Sequence, residues 1–360
     1  MATIYDVAKA AGVSPKTVSR VLNGDAPVGA ETRDAVEKAI LELGYVPSNA
    51  ARQLRSSKSG LIGLITGAIS IAPNATEPHG LPDLFIVQGI QRVIATSGKV
   101  LMIADTGGRL DSVPHLMRTF LEHRVEGLIY VAEYHQEVHL PDHPADTPLV
   151  LANCFDANGT PAIVPDDRRT QYDLIRELIR AGHHRIAYIT LDQEKVATPL
   201  RVAGYRAALA EAGIPHDPAL EQTGFFAGPV QDTQLLWDAL DRLLNLVEPP
   251  TVIACGNDEM AMRLYGILRT RGIKVPEDIS VAGFDNYRAI SETLFPPLTT
   301  VELAYSIIGV RAAERLLSLI RGEKIQQSNP TLVAGPVSWR SSVTTRPNIR
   351  YLNPQGRKTL

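Results

Sequence analysis

The stretch VSPKTVSRVLN, residues 13–23, reads as a short helix with an abrupt start. Ser14 is a good N-cap. Pro15 suits the first helical position, where a missing N–H breaks no intrahelical bond. Val18, Val21 and Leu22 fall on one side of this helix. Lys16, Thr17, Ser19 and Arg20 are left on the other, and Asn23-Gly24 ends it. A nearly neutral chain that places so polar a helix near its start needs a use for the outer face.

Working outward, Ile4, Val7, Ala8 and Ala11 recur at i, i+3, i+4 and i+7, the stripe of a preceding helix. Thr3 with Asp6 three residues later has the capping-box pattern, and Gly12 closes the helix. A third helix over about residues 30–43 would bury Val36, Ala39, Ile40 and Leu43. Two short helices joined by the AAGVS turn form a helix-turn-helix, whose second helix lies in a DNA major groove. Lys16 can reach guanine acceptors, Thr17 and Ser19 bases or phosphates, and Arg20 either. The competing reading is a solvated face on an ordinary three-helix bundle.

The segment YVPSNAARQLRSSK, residues 45–58, weighs against that reading. Pro47-Ser48 signals a helix start, but two turns are marginal in water. Ala50, Ala51 and Leu54 are small or apolar, while Arg52, Arg55 and Lys58 add three positive charges with no acid nearby. One Leu among cations on a helix that orders on DNA fits a minor-groove wedge better than a basic linker.

Charge follows the same division. The chain has 360 residues and a formal net charge of −3. Residues 1–58 hold eight Lys or Arg against six Asp or Glu, so the remainder is acidic. That is the sign expected of a nucleic-acid-binding head on an acidic body. Cys154 and Cys255 both sit in apolar runs and are expected to be reduced. The N-terminus lacks a signal-peptide pattern, and the apolar runs fall short of the roughly 20 residues a membrane span needs. A soluble cytoplasmic, nucleoid-associated protein is expected.

From Gly60 the apolar strand runs LIGLIT, VLMIAD, GLIYVAE, PLVLANC, RIAYIT, TVIACGN and ISVAGFD alternate with helices near 84–97, 113–124, 169–181, 200–212, 231–246 and 258–271. That alternation means a parallel, doubly wound α/β sheet, and so many residues call for two similar subdomains. Ligands bind such sheets beyond the carboxyl ends of the strands. Those ends carry Asp105, Glu133, Asn153, Asn257 and Asp285, and Arg201 begins the helix after RIAYIT. Asp and Asn beside an Arg can grip vicinal hydroxyls, and Phe225 or Phe226 could pack on a sugar's C–H face. The bland reading of Asn257 or Asp285 is a helix cap. The long loop GAISIAPNATEPHGLPDLF should line the pocket, with Ile69 or Phe85 as candidates.

Enzyme signatures are missing. No G-x-G-x-x-G, P-loop or G-x-S-x-G motif occurs, so no catalytic residue and no cofactor is expected. His135, His139 and His143 are spaced four apart, but Pro141 and Pro144 interrupt any helix. They are read as a solvated loop and not as a metal site.

TIYDVAKAAGVSPKTVSRVLNG, ETRDAVEKAILELGYVPSNAARQLRS and LIGLI together resemble the lactose-repressor/galactose-repressor (LacI/GalR) family, nearly end to end. Gly29 departs from the Ser or Thr that often caps the third helix there. The resemblance implies an all-α head and a body of two periplasmic-binding-protein-like lobes that the chain crosses three times. The expected boundaries are 1–46 for the head, 47–59 for a hinge, 60–345 for the effector-binding and dimerisation body, and 346–360 for a tail without leucine heptads. Within the body, one lobe would take about 60–160 and 290–320, and the other about 161–289 and 321–345. The set expected against DNA is Thr3, Tyr5, Ser14, Pro15, Lys16, Thr17, Ser19, Arg20, Asn23, Tyr45, Asn49, Ala51, Leu54 and Arg55. Carried over, Arg201, Asn257 and Asp285 would hold the effector, Phe226 would stack on it, and Asn153 would lie at the lobe junction. The implied function is a homodimeric regulator, most often a repressor, on a pseudo-palindromic double-stranded operator, controlled by a sugar. Alternatives are a nucleobase corepressor, a partner protein or, remotely, a sugar-modifying enzyme. If Leu54 is the wedge, Leu54→Ala should weaken operator binding about tenfold or more, the loss of roughly 1.4 kcal/mol, with effector binding unchanged. Fluorescence anisotropy on labelled operator measures the first quantity and calorimetry the second.

Overall fold

The computed structural model describes residues 2–24, 27–46, 59–67, 82–224, 233–323 and 330–346. The expected hinge contacts Asn49, Ala51, Leu54 and Arg55, and the pocket candidates Ile69 and Phe226, lie outside these residues. The chain divides into two compact units, Met1–Gly60 and Leu61–Leu360.

The first unit holds helices α1 (Ile4–Ala10), α2 (Pro15–Asn23) and α3 (Ala30–Leu43). Their apolar stripes meet in a small core of Val7, Ala8, Val18, Val36 and Ala39, with Val21, Leu22, Ile40 and Tyr45 partly packed against it. Gly24 ends α2 and Gly44 ends α3, each in the left-handed region that suits glycine. Leu43, expected inside, is exposed. It is the last helical residue before Gly44, and the final turn projects past so small a core.

The second unit contains two parallel sheets. The larger has strand order β11-β5-β4-β3-β1-β2, where β1 is Leu61–Thr66, β2 Val100–Asp105, β3 Leu128–Glu137, β4 Leu149–Phe155, β5 Ala162–Pro165 and β11 Thr331–Val333. Helices α4 (Pro82–Thr96) and α11 (Tyr305–Ile320) contribute Ile86, Ile90, Ile94, Ile308 and Leu316 to one core, and α5 (Val113–Glu122) contributes Val113, Met117 and Phe120 to another. The smaller sheet runs β7-β6-β8-β9, with β6 Ile186–Thr190, β7 Glu221–Thr223, β8 Val252–Cys255 and β9 Ser280–Ala282. Leu174, Ile175 and Leu178 of α6 (Asp167–Arg180) share a core with Tyr205, Ala208 and Leu209 of α7 (Ala197–Glu211). A separate core joins α8 (Thr233–Leu244) and α9 (Asp258–Thr270), and the short α10 (Arg288–Ser291) follows β9. Each large apolar side chain so buried contributes roughly 1.5–3 kcal/mol. Among the described residues, no helix is long and apolar enough to cross a membrane.

The chain passes between the sheets three times: from β5 into α6, from β10 (Thr300–Val301) into α11, and from β11 towards β12 (Val337–Ser338), which pairs with β10. The lobe limits differ from those expected. Residues 162–165 and 331–333 pair with each other in the larger sheet, although both were expected in the second lobe. Leu298 packs into the smaller sheet's core, although 290–320 was expected in the first. Strands of two to four residues such as AIVP carry no readable period, and their membership is set by pairing across the chain. Helix α11, also not anticipated, has Gly309 in its middle, which reads as a breaker in sequence.

That glycine has a packing reason. A Cβ at Gly309 would lie 2.0 Å from Ile86 O, and one at Gly89 would lie 2.2 Å from Ser306 O, so α4 and α11 cross backbone to backbone. Gly309→Ala should gain about 1 kcal/mol of helix propensity yet destabilise the body by about 1–3 kcal/mol net, because the helices must part. Urea unfolding of the variant tests the sign.

Candidate nucleic-acid interface and ligand cleft

In the head, Ser14 Oγ accepts the Thr17 N–H at 3.2 Å and lies 2.9 Å from Thr17 Oγ1. The cap fixes the start of α2 and engages the Thr17 hydroxyl. Lys16 and Arg20, four residues apart on one helical face, are exposed, while Val18 is buried. Pro15 and Ser19 are half-buried beside them, and Asn23 closes the helix. Thr3 completes the capping box: its N–H and hydroxyl both donate to Asp6 Oδ2, at 2.8 and 2.7 Å. The Thr3 hydroxyl bond, foremost among the causes, holds the Asp6 carboxyl below its usual range. Tyr5 is largely exposed, and Tyr45 packs its ring partly on the core.

In the body, the carboxyl ends of the strands converge on Arg201. Its Nε donates to Asp167 Oδ1 at 2.7 Å and its Nη1 to Gly256 O at 2.7 Å, and its guanidinium carbon lies 3.7 Å from the Phe284 ring centroid. Burial works against the charged guanidinium, but the neighbouring acids, Asp167 foremost, outweigh it and hold Arg201 protonated above its ordinary value. Burial likewise opposes ionisation of Asp167, and Arg201 and His135 reverse it, leaving the carboxyl below its usual range. Ionised Asp167 can only accept, so His135 Nδ1, 2.8 Å from Asp167 Oδ2, carries the hydrogen. His135 lies on β3 of the larger sheet and Asp167 opens α6 of the smaller one, so this bond ties the two lobes.

His135 is therefore not part of a solvated loop, as its spacing with His139 and His143 suggested. It is buried on β3, separated from exposed His139. The β3–β4 register shifts here: Val131 pairs with Ala152 and Gln136 with Cys154, so Asn153 alone faces four residues. Asn153 takes a left-handed backbone (φ 62°) and donates from Nδ2 to Ala132 O at 3.1 Å, filling the irregularity. This bulge carries Tyr134, His135 and Gln136 to the junction.

Asn257 caps α9, its Oδ1 accepting the Met260 N–H at 2.7 Å, so the bland reading of its carboxamide holds for that oxygen. Asp285 is half-buried with φ 122°, a strained position for a non-glycine residue at the end of the second sheet. Burial pushes its carboxyl well above the usual range, Arg201 opposing and Asp258 and Asp167 reinforcing. Phe85 is half-exposed on α4, and no contact brings it to Arg201. A cavity of about 290 Å³ lies at the junction, lined by Tyr134, Gln136 and Glu137 from β3 and Asp192, Glu194, Lys195 and Val196 after β6. It flanks the Arg201 network without including it. Lys195 Nζ sits 3.7 Å from the Tyr134 ring centroid, a second contact between lobes.

Asp167 and His135 are the residues that sequence reasoning missed. Asp167 had a signal: it shares a stripe with Gln171, Leu174, Ile175 and Leu178, all buried, and an acid on an apolar stripe needs a buried partner. Asp166 caps the helix by accepting the Arg169 N–H, which leaves Asp167 for Arg201.

The sequence matches "Bacterial regulatory proteins, lacI family" over residues 3–48 and "Periplasmic binding protein-like domain" over residues 175–343. It is 33% identical over 352 residues to the HTH-type transcriptional repressor PurR of Vibrio atlanticus (strain LGP32), covering 96% of this chain and 99% of that protein. It is 32% identical over 328 residues to the sucrose operon repressor of Escherichia coli, covering 90% and 96%. The crystal structure of the Lac repressor dimer bound to operator and the anti-inducer ONPF superposes with a TM-score of 0.71 at 26% identity, covering 95% of this chain and 99% of that one.

Asp258 yields a pH test. Its Oδ1 accepts from Thr300 Oγ1 at 2.6 Å and its Oδ2 from the Tyr287 N–H at 2.7 Å, but burial dominates and pushes the carboxyl up to about 7. Between about pH 4 and that value the folded carboxyl keeps a proton that the unfolded one has lost. Its contribution to stability is thus present at the acid end and falls as pH rises through the interval. Asp258→Asn should flatten that part of the stability–pH curve, measured by urea midpoints from pH 4.5 to 7.5.

Proposed function

The chain belongs to the LacI family of bacterial regulatory proteins, and from that membership we infer that it is a transcriptional repressor whose operator affinity is set by a small molecule held between the lobes of its body. The observation that carries this reading is the pairing, in one chain, of a capped helix presenting Lys16 and Arg20 with a buried Arg201–Asp167–His135 network that joins two α/β lobes. The helix supplies phosphate and base contacts, and the network places a cation and carboxylates where a ligand can exchange bonds with them. Two copies would read the two halves of a pseudo-palindrome, as two-fold symmetry requires. The hinge segment with Asn49, Ala51, Leu54 and Arg55 would press on the central minor groove.

The effector would contact Arg201, Asp285 and Asn257, with Asn153 at the lobe junction and Ile69, Phe85 and Phe226 as further walls. Asp167 and His135 position Arg201. We read the effector as a sugar, and the likeness to a sucrose operon repressor supports that class. We read the protein as a cytoplasmic, nucleoid-associated regulator and not as an enzyme, in keeping with the repressors it resembles. Because linkage is reciprocal, operator must alter effector affinity by the factor by which effector alters operator affinity.

Anisotropy on a palindromic and a scrambled duplex tests the reading. The palindrome should bind at least about a thousandfold more tightly at physiological salt; equal affinity for both would sink it. Arg20→Ala should lower the slope of log affinity against log salt by about 1 if Arg20 meets a phosphate.

A further inference from the structure

We propose that the bulged segment of β3 is an internal clasp: His135, seconded by Tyr134, holds the two lobes together through the chain's own side chains before any effector enters. The regulatory meaning of the clasp rests on the reading of the body as the effector-controlled part of the protein.

The bulge sacrifices regular pairing. Between Val131 and Gln136, four residues of β3 face Asn153 alone. Asn153 compensates in part, through its left-handed backbone and its Nδ2 bond to Ala132 O. What the distortion yields is two adjacent side chains that both reach the other lobe. Tyr134 meets Lys195, which follows β6, with Nζ 3.7 Å from the ring centroid. His135 meets Asp167 at the start of α6, with Nδ1 2.8 Å from Oδ2.

The inner contact is the stronger one. His135 and Asp167 are both buried, and the acceptor is an ionised oxygen. The His135 ring stands edge-on to Phe155, with centroids 5.8 Å apart and planes at 77°, which helps to fix the direction of Nδ1. Arg201 engages the other carboxylate oxygen, Oδ1. Without the His135 donor, Oδ2 would be a buried charged atom short of a hydrogen bond, and water could make up the shortfall only if the lobes part. The bond and the lobe contact are therefore kept or lost together. Asp167 directly follows the crossing from β5 into α6, so this bond acts on the angle at which the chain leaves the larger sheet. Tyr305 packs against a core of each lobe, but it too sits at a crossing, between β10 and α11. Tyr134 and Lys195 belong to no crossing, and their contact adds a tether that the chain path does not supply.

The test is a distance measured within one protomer of the full-length protein. Both native cysteines are buried, so spin labels go to exposed positions, Glu122→Cys on the first lobe and Glu277→Cys on the second. Excess unlabelled chain keeps a single labelled protomer in each particle. In pulsed EPR without added ligand, the labelled parent should give one narrow distance. His135→Phe keeps a ring against Phe155 but has no donor. It should raise the ratio of longer to parent distances at least about tenfold, the ratio that a hydrogen bond to an ionised group commands. His135→Asn places Nδ2 close to where Nδ1 stands and should restore the parent distance. An unchanged distribution in His135→Phe overturns the clasp, and so does His135→Asn behaving like His135→Phe, because the donor would then not matter. If His135→Phe fails to fold, Lys195→Met decides: it keeps the apolar stem and drops the cation, so a shift of about two- to fivefold supports the clasp and no shift overturns it. Titrating the same preparations with a palindromic duplex separates the two readings. Distances and duplex affinity that shift together, and return together in His135→Asn, support both. Distances that shift while duplex affinity stays within about twofold leave the clasp in place and sink the link between lobe arrangement and DNA binding.

Discussion

The Asp167–Arg201 pair is the contact on which the rest of the cleft depends. Removing two charges from water carries a penalty of several kcal/mol per ion, recovered only when geometry is good and the remaining donors and acceptors are satisfied. Here the satisfaction is distributed. Gly256 O at the end of β8 takes a second guanidinium N–H, the Phe284 ring covers one face, and His135 from the other sheet binds the second carboxylate oxygen. One ion pair therefore draws the ends of strands from both sheets to a single point. Such a pair adds little net stability compared with an apolar pair, but it fixes direction and register, which an apolar contact does not.

The lobes themselves are built differently from their junction. Each sheet is covered on both faces by helices and closed by apolar cores. Across the junction Tyr305 packs against a core of each lobe, while two contacts are polar or cation–π, His135 with Asp167 and Lys195 with Tyr134. Bonds of that kind can be exchanged for bonds to a ligand without opening either core, the property a hinge-type switch needs. The local distortions lie at the same level, with the β3–β4 irregularity filled by Asn153 and the positive φ of Asp285 and Asn286. Strain of this sort persists only where surrounding structure over-determines it.

The head follows a separate logic. Five buried residues make a small core, and the caps at Thr3 and Ser14 do much to define where its first two helices begin. A modest unit of this kind gains stability from what binds it, which suits a module whose exposed cations require a polyanion to neutralise them.

The sequence by itself determined what is local. Caps, helix stripes and continuous apolar strands depend on residues within a few positions of one another, so the three head helices, the α/β alternation, the strand ends near Asn257 and Asp285 and the helix bearing Arg201 could all be read in advance. Tertiary structure alone decided what is distant. It paired β11 with β5, assigned Leu298 to the second core, moved His135 from a supposed loop to a buried strand, and gave Arg201 its partner 34 positions away. The physical reason is that short strands and buried charges carry no period of their own. Their places are set by which pairing satisfies every donor, acceptor and charge once the cores have closed, and that condition exists only in the folded chain.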